Sequence, residues 1–243
     1  MNIKKIFRSL VPMAAVLVLS GCGGARASAN IVINPDSTIQ VEEIVLVDAH
    51  DGDKDVDLNA SPYSAMKPTA GDTYYETVEQ RETTIDGTDY IGYYSKTNLM
   101  TLADYSQWKD RSGESAFAPR IQIVKTGIPF VRVAKVDASG LLDQYKEKYS
   151  LDGSSIKVNI SVPGTVTESN QTSIDEKTGA YVWENEDCND ISITFRYLDM
   201  SGGAKKILAV VVVLGYTLVG LAVLNAFTKI APKKSSSSIP MPF

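Results

Sequence analysis

The sequence predicts an α+β fold: a mainly antiparallel sheet with two short helices, followed by one C-terminal transmembrane helix. Three observations carry this. Between residues 29 and 200 apolar residues alternate at a period of two in several short runs, most strictly in Ile156-Val158-Ile160-Val162 and Ile191-Ile193-Phe195-Tyr197. Two stretches, 97–109 and 141–149, switch to helical spacing. Finally, Ile207 to Phe227 reads ILAVVVVLGYTLVGLAVLNAF without a charge.

In chain order, Cys22 to Ser28 is small and reads as a flexible tether, so the folded domain is expected over 29–200. Ala29 to Val47 alternates on either side of Asn34-Pro35-Asp36-Ser37, a β-hairpin with its turn. Asp48 to Gly71 is acidic, then rich in Pro, Ser and Ala, and reads as a loop. Tyr74 to Thr84 fits either a helix or an exposed strand. Thr88 to Tyr94 is aromatic and β-branched, hence a strand. Leu99, Leu102, Ala103 and Tyr105 then share helical spacing, with Thr97 or Asn98 as cap, and Arg111 to Ser115 breaks the pattern. Ile121 to Val124 and Pro129 to Val136 are two strands. Ser139 caps a helix from Leu141 to Tyr149, in which Leu142, Tyr145 and Tyr149 share a face. Four more strands follow: Ile156 to Val162, Val166 to Ser169, Tyr181 to Glu184 and Ile191 to Tyr197. Between the first two of these, Pro163 pre-sets φ and Gly164 takes φ > 0, a type II turn, while Asn170 marks a second turn before Trp183 returns to the sheet as a core aromatic.

The two ends carry anchoring signals. Lys4, Lys5 and Arg8 precede an apolar run from Leu10 to Leu19, and Leu19-Ser20-Gly21-Cys22 follows. Residues 1–21 therefore read as a signal peptide, too short for a span, and the small residues before Cys22 form a lipobox. The expectation is a diacylglycerol thioether on Cys22 and cleavage before it, with palmitate-type chains holding the protein at roughly 0.8 kcal/mol per buried CH₂. The stretch 207–227 is long enough to cross about 30 Å of hydrocarbon at about 1.5 Å per residue. Lys205 and Lys206 precede it, and Lys229, Lys233 and Lys234 follow. An exported chain with one span sits in the cytoplasmic membrane, with its main domain outside and residues 228–243 as a polar cytoplasmic tail.

The net charge of −5 conceals an asymmetry. The signal peptide and the span with its tail hold three basic residues each and no acids, leaving 18 basic against 29 acidic residues between Cys22 and Lys206, a balance of −11. A domain this acidic is a poor partner for nucleic acid. With Cys22 committed to lipid, Cys188 is the sole remaining thiol, so no intramolecular disulfide forms.

Three segments resemble the LppM-type family of lipoproteins, first named in mycobacteria. They are Ile31-Val32-Ile33-Asn34-Pro35-Asp36-Ser37; Tyr90-Ile91-Gly92-Tyr93-Tyr94 with Asn98-Leu99-Met100-Thr101-Leu102; and the stretch Val158 to Trp183, with Pro163-Gly164-Thr165-Val166, Glu168-Ser169-Asn170 and Val182-Trp183. Gln171 stands where the family pattern usually has Gly. The resemblance implies a lipobox, a half-barrel-like extracytoplasmic domain that binds a lipid or glycolipid, and a C-terminal span.

Chemistry-bearing patterns are sparse. His50 is the only histidine, and no second His or thiolate stands beside it as a zinc ligand. No nucleophile elbow or Walker motif appears. Asp51, Asp53, Asp55 and Asp57 alternate like the start of a calcium loop, but Val56 and Pro62 stand where such a loop needs Gly and Glu. The sequence thus names no catalytic residue, no cofactor and no metal, and Cys22 is its one modified site. The expected function is a non-enzymatic envelope protein whose partners are the membrane and a lipid or glycolipid. The alternatives are an assembly factor with an envelope protein partner and, behind it, an envelope hydrolase.

Overall fold

A computed structural model describes residues 24–51, 54–60, 63–68, 72–111, 119–128, 130–149 and 154–230. The signal peptide 1–21, Cys22 and the tail from residue 231 onward lie outside the described residues. The chain divides into two units, at Asp199 and Met200.

The first unit is built from thirteen strands and two helices among its described residues. In order they are β1 (Arg26–Ile33), β2 (Ile39–Asp48), β3 (His50–Asp51), β4 (Lys54–Asp55), β5 (Tyr75–Ile85), β6 (Thr88–Thr97), α1 (Leu102–Arg111), β7 (Arg120–Lys125), β8 (Val131–Ser139), α2 (Leu141–Tyr149), β9 (Ser155–Ser161), β10 (Thr165–Ser169), β11 (Ser173–Ile174), β12 (Tyr181–Glu184) and β13 (Asp190–Leu198). A seven-stranded sheet runs β11-β12-β9-β1-β2-β6-β5, and a four-stranded sheet runs β10-β13-β8-β7. Both are open; β3 and β4 form a separate ribbon. Among the described residues all pairings are antiparallel except that of β1 with β9, which is parallel. That pair is reached by a long crossover, as a parallel connection requires.

One hydrophobic core joins the two sheets. Period-two alternation turns Ile31, Ile39, Val41, Val158 and Ile160 of the larger sheet, and Ala134, Val136, Ile193 and Phe195 of the smaller, into a single buried cluster. Trp108 and Trp183 are its largest fully buried side chains. At about 25 cal/mol per Å² of apolar area removed from water, this burial is the main drive for the fold.

Several expectations are corrected. The tether does not reach Ser28: Ala25 to Ser28 is buried and β1 begins at Arg26, because Arg26 pairs with Leu46 on one side and Ser155 on the other. Tyr74 to Thr84 resolves as strand β5. The apolar face of α1 is Leu102, Tyr105 and Trp108, while Leu99 and Ala103 are exposed. Its cap is Thr101, whose Oγ1 accepts from the Asp104 amide at 3.2 Å while Asp104 Oδ2 accepts from the Thr101 amide at 3.2 Å, a capping box. Ser139 does not cap α2. That role falls to Asn189, whose Oδ1 accepts from the amides of Leu142 (2.9 Å) and Asp143 (3.3 Å). Leu142 and Tyr145 are buried as expected; the side chain of Tyr149 is outside those described.

Two glycines shape the sheets. Gly164 has φ +84°, and a Cβ there would run into the carbonyl of Arg196, so the Pro163-Gly164 turn carries the chain from the larger sheet (β9) to the smaller (β10) as no other residue could. Gly92, in β6, presses so closely on β2 that a Cβ would collide with the carbonyl of Val45.

Among its described residues the second unit forms one helix, α3 (Gly202–Ile230), of 29 residues. Its described side chains are Ile207 and those of 209–223, fewer than the eighteen or so needed to cross a bilayer, and among the described residues no helix is long and apolar enough for that. Those side chains are exposed on every face, including Val213, Leu218 and Leu221.

Candidate functional site

A cleft of about 590 Å³ opens at one end of the larger sheet. Its floor and walls come from β5 (Glu82, Thr83, Thr84), β6 (Asp89, Tyr90, Ile91) and the β3–β4 ribbon with its flanks (Ala49, His50, Asp55, Val56). The sequence builds this end locally. Asp86 (φ +53°) and Gly87 (φ +82°) both take left-handed backbone, which makes the two-residue turn between β5 and β6 type I′. Thr84 and Asp89 then face each other in register, and the threonine hydroxyl donates to Asp89 Oδ1 at 2.6 Å. Across the cleft the ribbon hangs from β6: the Ala49 amide donates to the Asp89 carbonyl at 2.8 Å, and the Val56 amide to the Ala49 carbonyl at 2.9 Å. His50 Nδ1 lies 3.1 Å from Asp55 Oδ1, and the His50 amide donates to Asp48 Oδ1 at 3.0 Å.

Tyr90 is fixed from behind. Arg26 is 3% exposed, its Nε donates to the Tyr90 hydroxyl at 3.0 Å, and its guanidinium carbon lies 4.9 Å from the ring centre. The same guanidinium reaches the exposed Asp86 carboxylate at 3.7 Å. One buried cation therefore ties β1, β6 and the β5–β6 turn together in the interior behind the cleft.

The lining is rich in acceptors, with three carboxylates (Asp55, Glu82, Asp89), two threonines and an imidazole beside Ile91 and Val56. Such a surface suits hydroxyl-rich or cationic ligands and repels phosphate. Elsewhere on the larger sheet the charges serve each other. Lys96 lies 3.2 Å from Glu76 and 3.8 Å from Glu42. Burial lowers the Lys96 ammonium, but the Glu76 hydrogen bond and the two carboxylate charges outweigh it and raise it on balance.

The residues singled out from sequence are distributed unevenly. Cys22 and Asp53 lie outside the described residues. His50 and Asp55 come together in the cleft. Asp57 instead accepts from the Asn59 amide and side chain at 2.9 and 3.1 Å, a local turn. Among the described residues no group of three or more His, Cys, Asp or Glu could hold a metal ion. Cys188 is fully buried, and burial pushes its thiol up to about 12. The sequence reading missed Glu82 and Asp89 as cleft residues. The signal that would have found them is Asp86-Gly87 between two β-prone runs, which pairs the residues on either side.

The family model for the LppM domain matches residues 26–197, well over half of the chain. None of the curated proteins matches. Among solved structures, the NMR structure of the folded domain of LppM from Mycobacterium tuberculosis is similar at a TM-score of 0.44 and 19% identity, covering 76% of this chain and 95% of that one.

Proposed function

The chain belongs to the LppM domain family, and on that premise we propose that it is a non-enzymatic, membrane-anchored envelope lipoprotein whose cleft binds the hydroxyl-rich headgroup of a lipid or glycolipid. The observation that carries the ligand class is the cleft lining. Asp55, Glu82 and Asp89 supply acceptors for sugar hydroxyls, and Thr83 and Thr84 can donate or accept. The cleft is polar, so the headgroup is the part recognised.

Anchoring is supported from both ends. Cys22 stands at a lipobox. The backbone of α3 runs for 29 residues through the uncharged stretch 207–227, and its described apolar side chains are exposed all round. A helix apolar on every face is stable where its surroundings are apolar too, which makes the bilayer its solvent.

The test is native mass spectrometry of the full chain, purified in mild detergent from its own envelope. A retained glycolipid mass is expected, and it should be lost in a Glu82→Gln, Asp89→Asn double variant that keeps its circular dichroism. A bare protein mass, with no thermal stabilisation on adding back envelope lipid extract, would refute the ligand assignment.

A further inference from the structure

We propose that the edge of β5 is the docking surface for a second copy of this chain: two β5 strands pair antiparallel about a twofold axis at Gln80 and join the two seven-stranded sheets into one. The inference concerns assembly and does not depend on the ligand of the cleft.

β5 is the last strand of the larger sheet, and among the described residues it pairs with β6 alone. It is 11 residues long, and every residue from Val78 to Thr84 is exposed. Its outer edge presents a row of backbone donors and acceptors, the template for adding a strand. Neither Lys nor Pro, the residues that commonly blunt an edge, occurs in it. A bulge between Tyr75 and Thr77 disturbs its start and leaves the pairing regular from Thr77 to Ile85. The other edges are shorter: β11 has two residues, β10 has five, and β7 has six with cations only.

The charges on β5 select a copy of itself. A twofold axis between antiparallel strands keeps each side chain on its own face of the sheet, so it must pass between two copies of the same residue. With the axis at Gln80, Glu79 stands opposite Arg81 of the second copy, and Arg81 opposite Glu79 of the second copy. Thr77 stands opposite Thr83, and no two like charges oppose each other. Moving the axis by one residue either way sets Glu79 against Glu79 or Arg81 against Arg81. Within one chain the two charges are already held on one face. Arg81 Nε and Nη2 donate to Glu79 Oε1 at 2.9 and 2.7 Å, and the guanidinium carbon lies 4.3 Å from the Tyr94 ring centre. Both side chains are still close to half exposed, Arg81 at 45% and Glu79 at 46%. Arg81 Nη1 and Glu79 Oε2 are left to face the other copy. Two such pairs, meeting antiparallel, form a quartet of alternating sign with each cation between two carboxylates. A strand of unrelated sequence finds no such match, so the charges that guard this edge against other chains admit its own. The same register sets Val78 of the second copy, 39% exposed in the single chain, opposite Glu82 at the cleft, so each copy adds an apolar side chain to the other's site.

The experiment is disulfide cross-linking of the full chain in its own membranes under mild oxidation, with the chain lacking an introduced cysteine as background. Opposed residues of an antiparallel pair have Cα atoms about 4.5 or 5.5 Å apart, and a disulfide spans about 4.4–6.8 Å. Gln80→Cys should therefore give a disulfide dimer of this chain. Thr84→Cys should not, because in this register its two copies are about 27 Å apart along the strands. Adding Glu79→Arg to Gln80→Cys, or Arg81→Glu to Gln80→Cys, sets like charges across the axis and should cut the dimer at least about tenfold. Co-expressing the two charge variants under different tags should restore it, as a dimer holding one of each, because every cation then faces a carboxylate again. No disulfide at Gln80→Cys overturns the proposal, and so does an adduct with a different protein. Equal cross-linking at Thr84→Cys, or dimers that both charge variants keep, would place the contact elsewhere and overturns it too. Loss in both charge variants without recovery on co-expression overturns the register and the pairing with it.

Discussion

The indole of Trp183, in the seven-stranded sheet, donates to Asn170 Oδ1 at 3.0 Å, and Asn170 lies just past the end of β10 in the four-stranded sheet. The same oxygen accepts from the Ser192 amide at 2.9 Å, and the Asn170 side-chain amide donates to the Asp190 carbonyl at 2.6 Å. One side chain thus extends the β10–β13 ladder and satisfies the buried tryptophan of the other sheet. Asn170→Ala would leave a buried indole N–H without its acceptor, and we expect a loss of about 2–3 kcal/mol. Asn170→Asp, which keeps the acceptor, should lose less. Urea unfolding followed by tryptophan emission measures both; a loss under about 0.5 kcal/mol for the alanine variant would show that the bridge is incidental.

Gly164→Ala meets two obstacles at once: a left-handed backbone and a carbonyl where the methyl would go. Adding about 1–2 kcal/mol for the conformation to the displacement of β13, the variant should lose at least about 3 kcal/mol. Gly179→Ala is the control, since Gly179 has φ +71° with open space around it and carries the conformational cost alone. Equal thermal midpoints for the two variants would remove the close approach from the account.

The strands were legible where one face is buried and the other wet, as in β9 and β13, because there the pattern has a single period. Tyr75 to Ile85 was ambiguous for a physical reason. It is an edge strand with neither face well buried, so little selects apolar residues at every second position. The helix caps were misplaced because capping is not always local: Asn189 reaches α2 from 47 residues away in sequence, a contact no spacing rule contains. The turn chemistry of Pro163-Gly164 was readable, since φ > 0 leaves few residue choices. The cleft was not, because its walls come from segments brought together by strand register, which no local pattern specifies.

Cys188 makes the pH dependence specific. Its thiol is raised from 9.0 to about 12 by burial, with the charges of Asp187 and Glu184 adding to the effect. Between those values the unfolded chain has lost this proton and the folded chain retains it. Stability therefore falls as pH rises from about 9 to about 12, and this contribution is complete below the lower value. Cys188→Ala should flatten that alkaline slope. It should not abolish it, because burial raises the Tyr105 phenol as well. Iodoacetamide at mildly alkaline pH should leave the folded thiol unmodified and label it once urea unfolds the domain. Rapid labelling of the native protein would contradict the burial of this site.

The two anchors can be separated genetically. Cys22→Ala removes the nucleophile for lipid transfer, so incorporation of labelled fatty acid should vanish. The chain should nevertheless stay in the membrane fraction, because α3 supplies a 21-residue uncharged stretch. A stop after Asp199 should also leave the chain membrane-bound, now through the two acyl chains alone, each holding by about 0.8 kcal/mol per buried CH₂. Only the combination should release the domain, and it should do so folded, because the core and both sheets lie N-terminal to that stop. Release by Cys22→Ala alone would show that α3 does not hold the bilayer. Retention of the double variant would show that something other than the acyl chains and α3 holds the chain at the membrane.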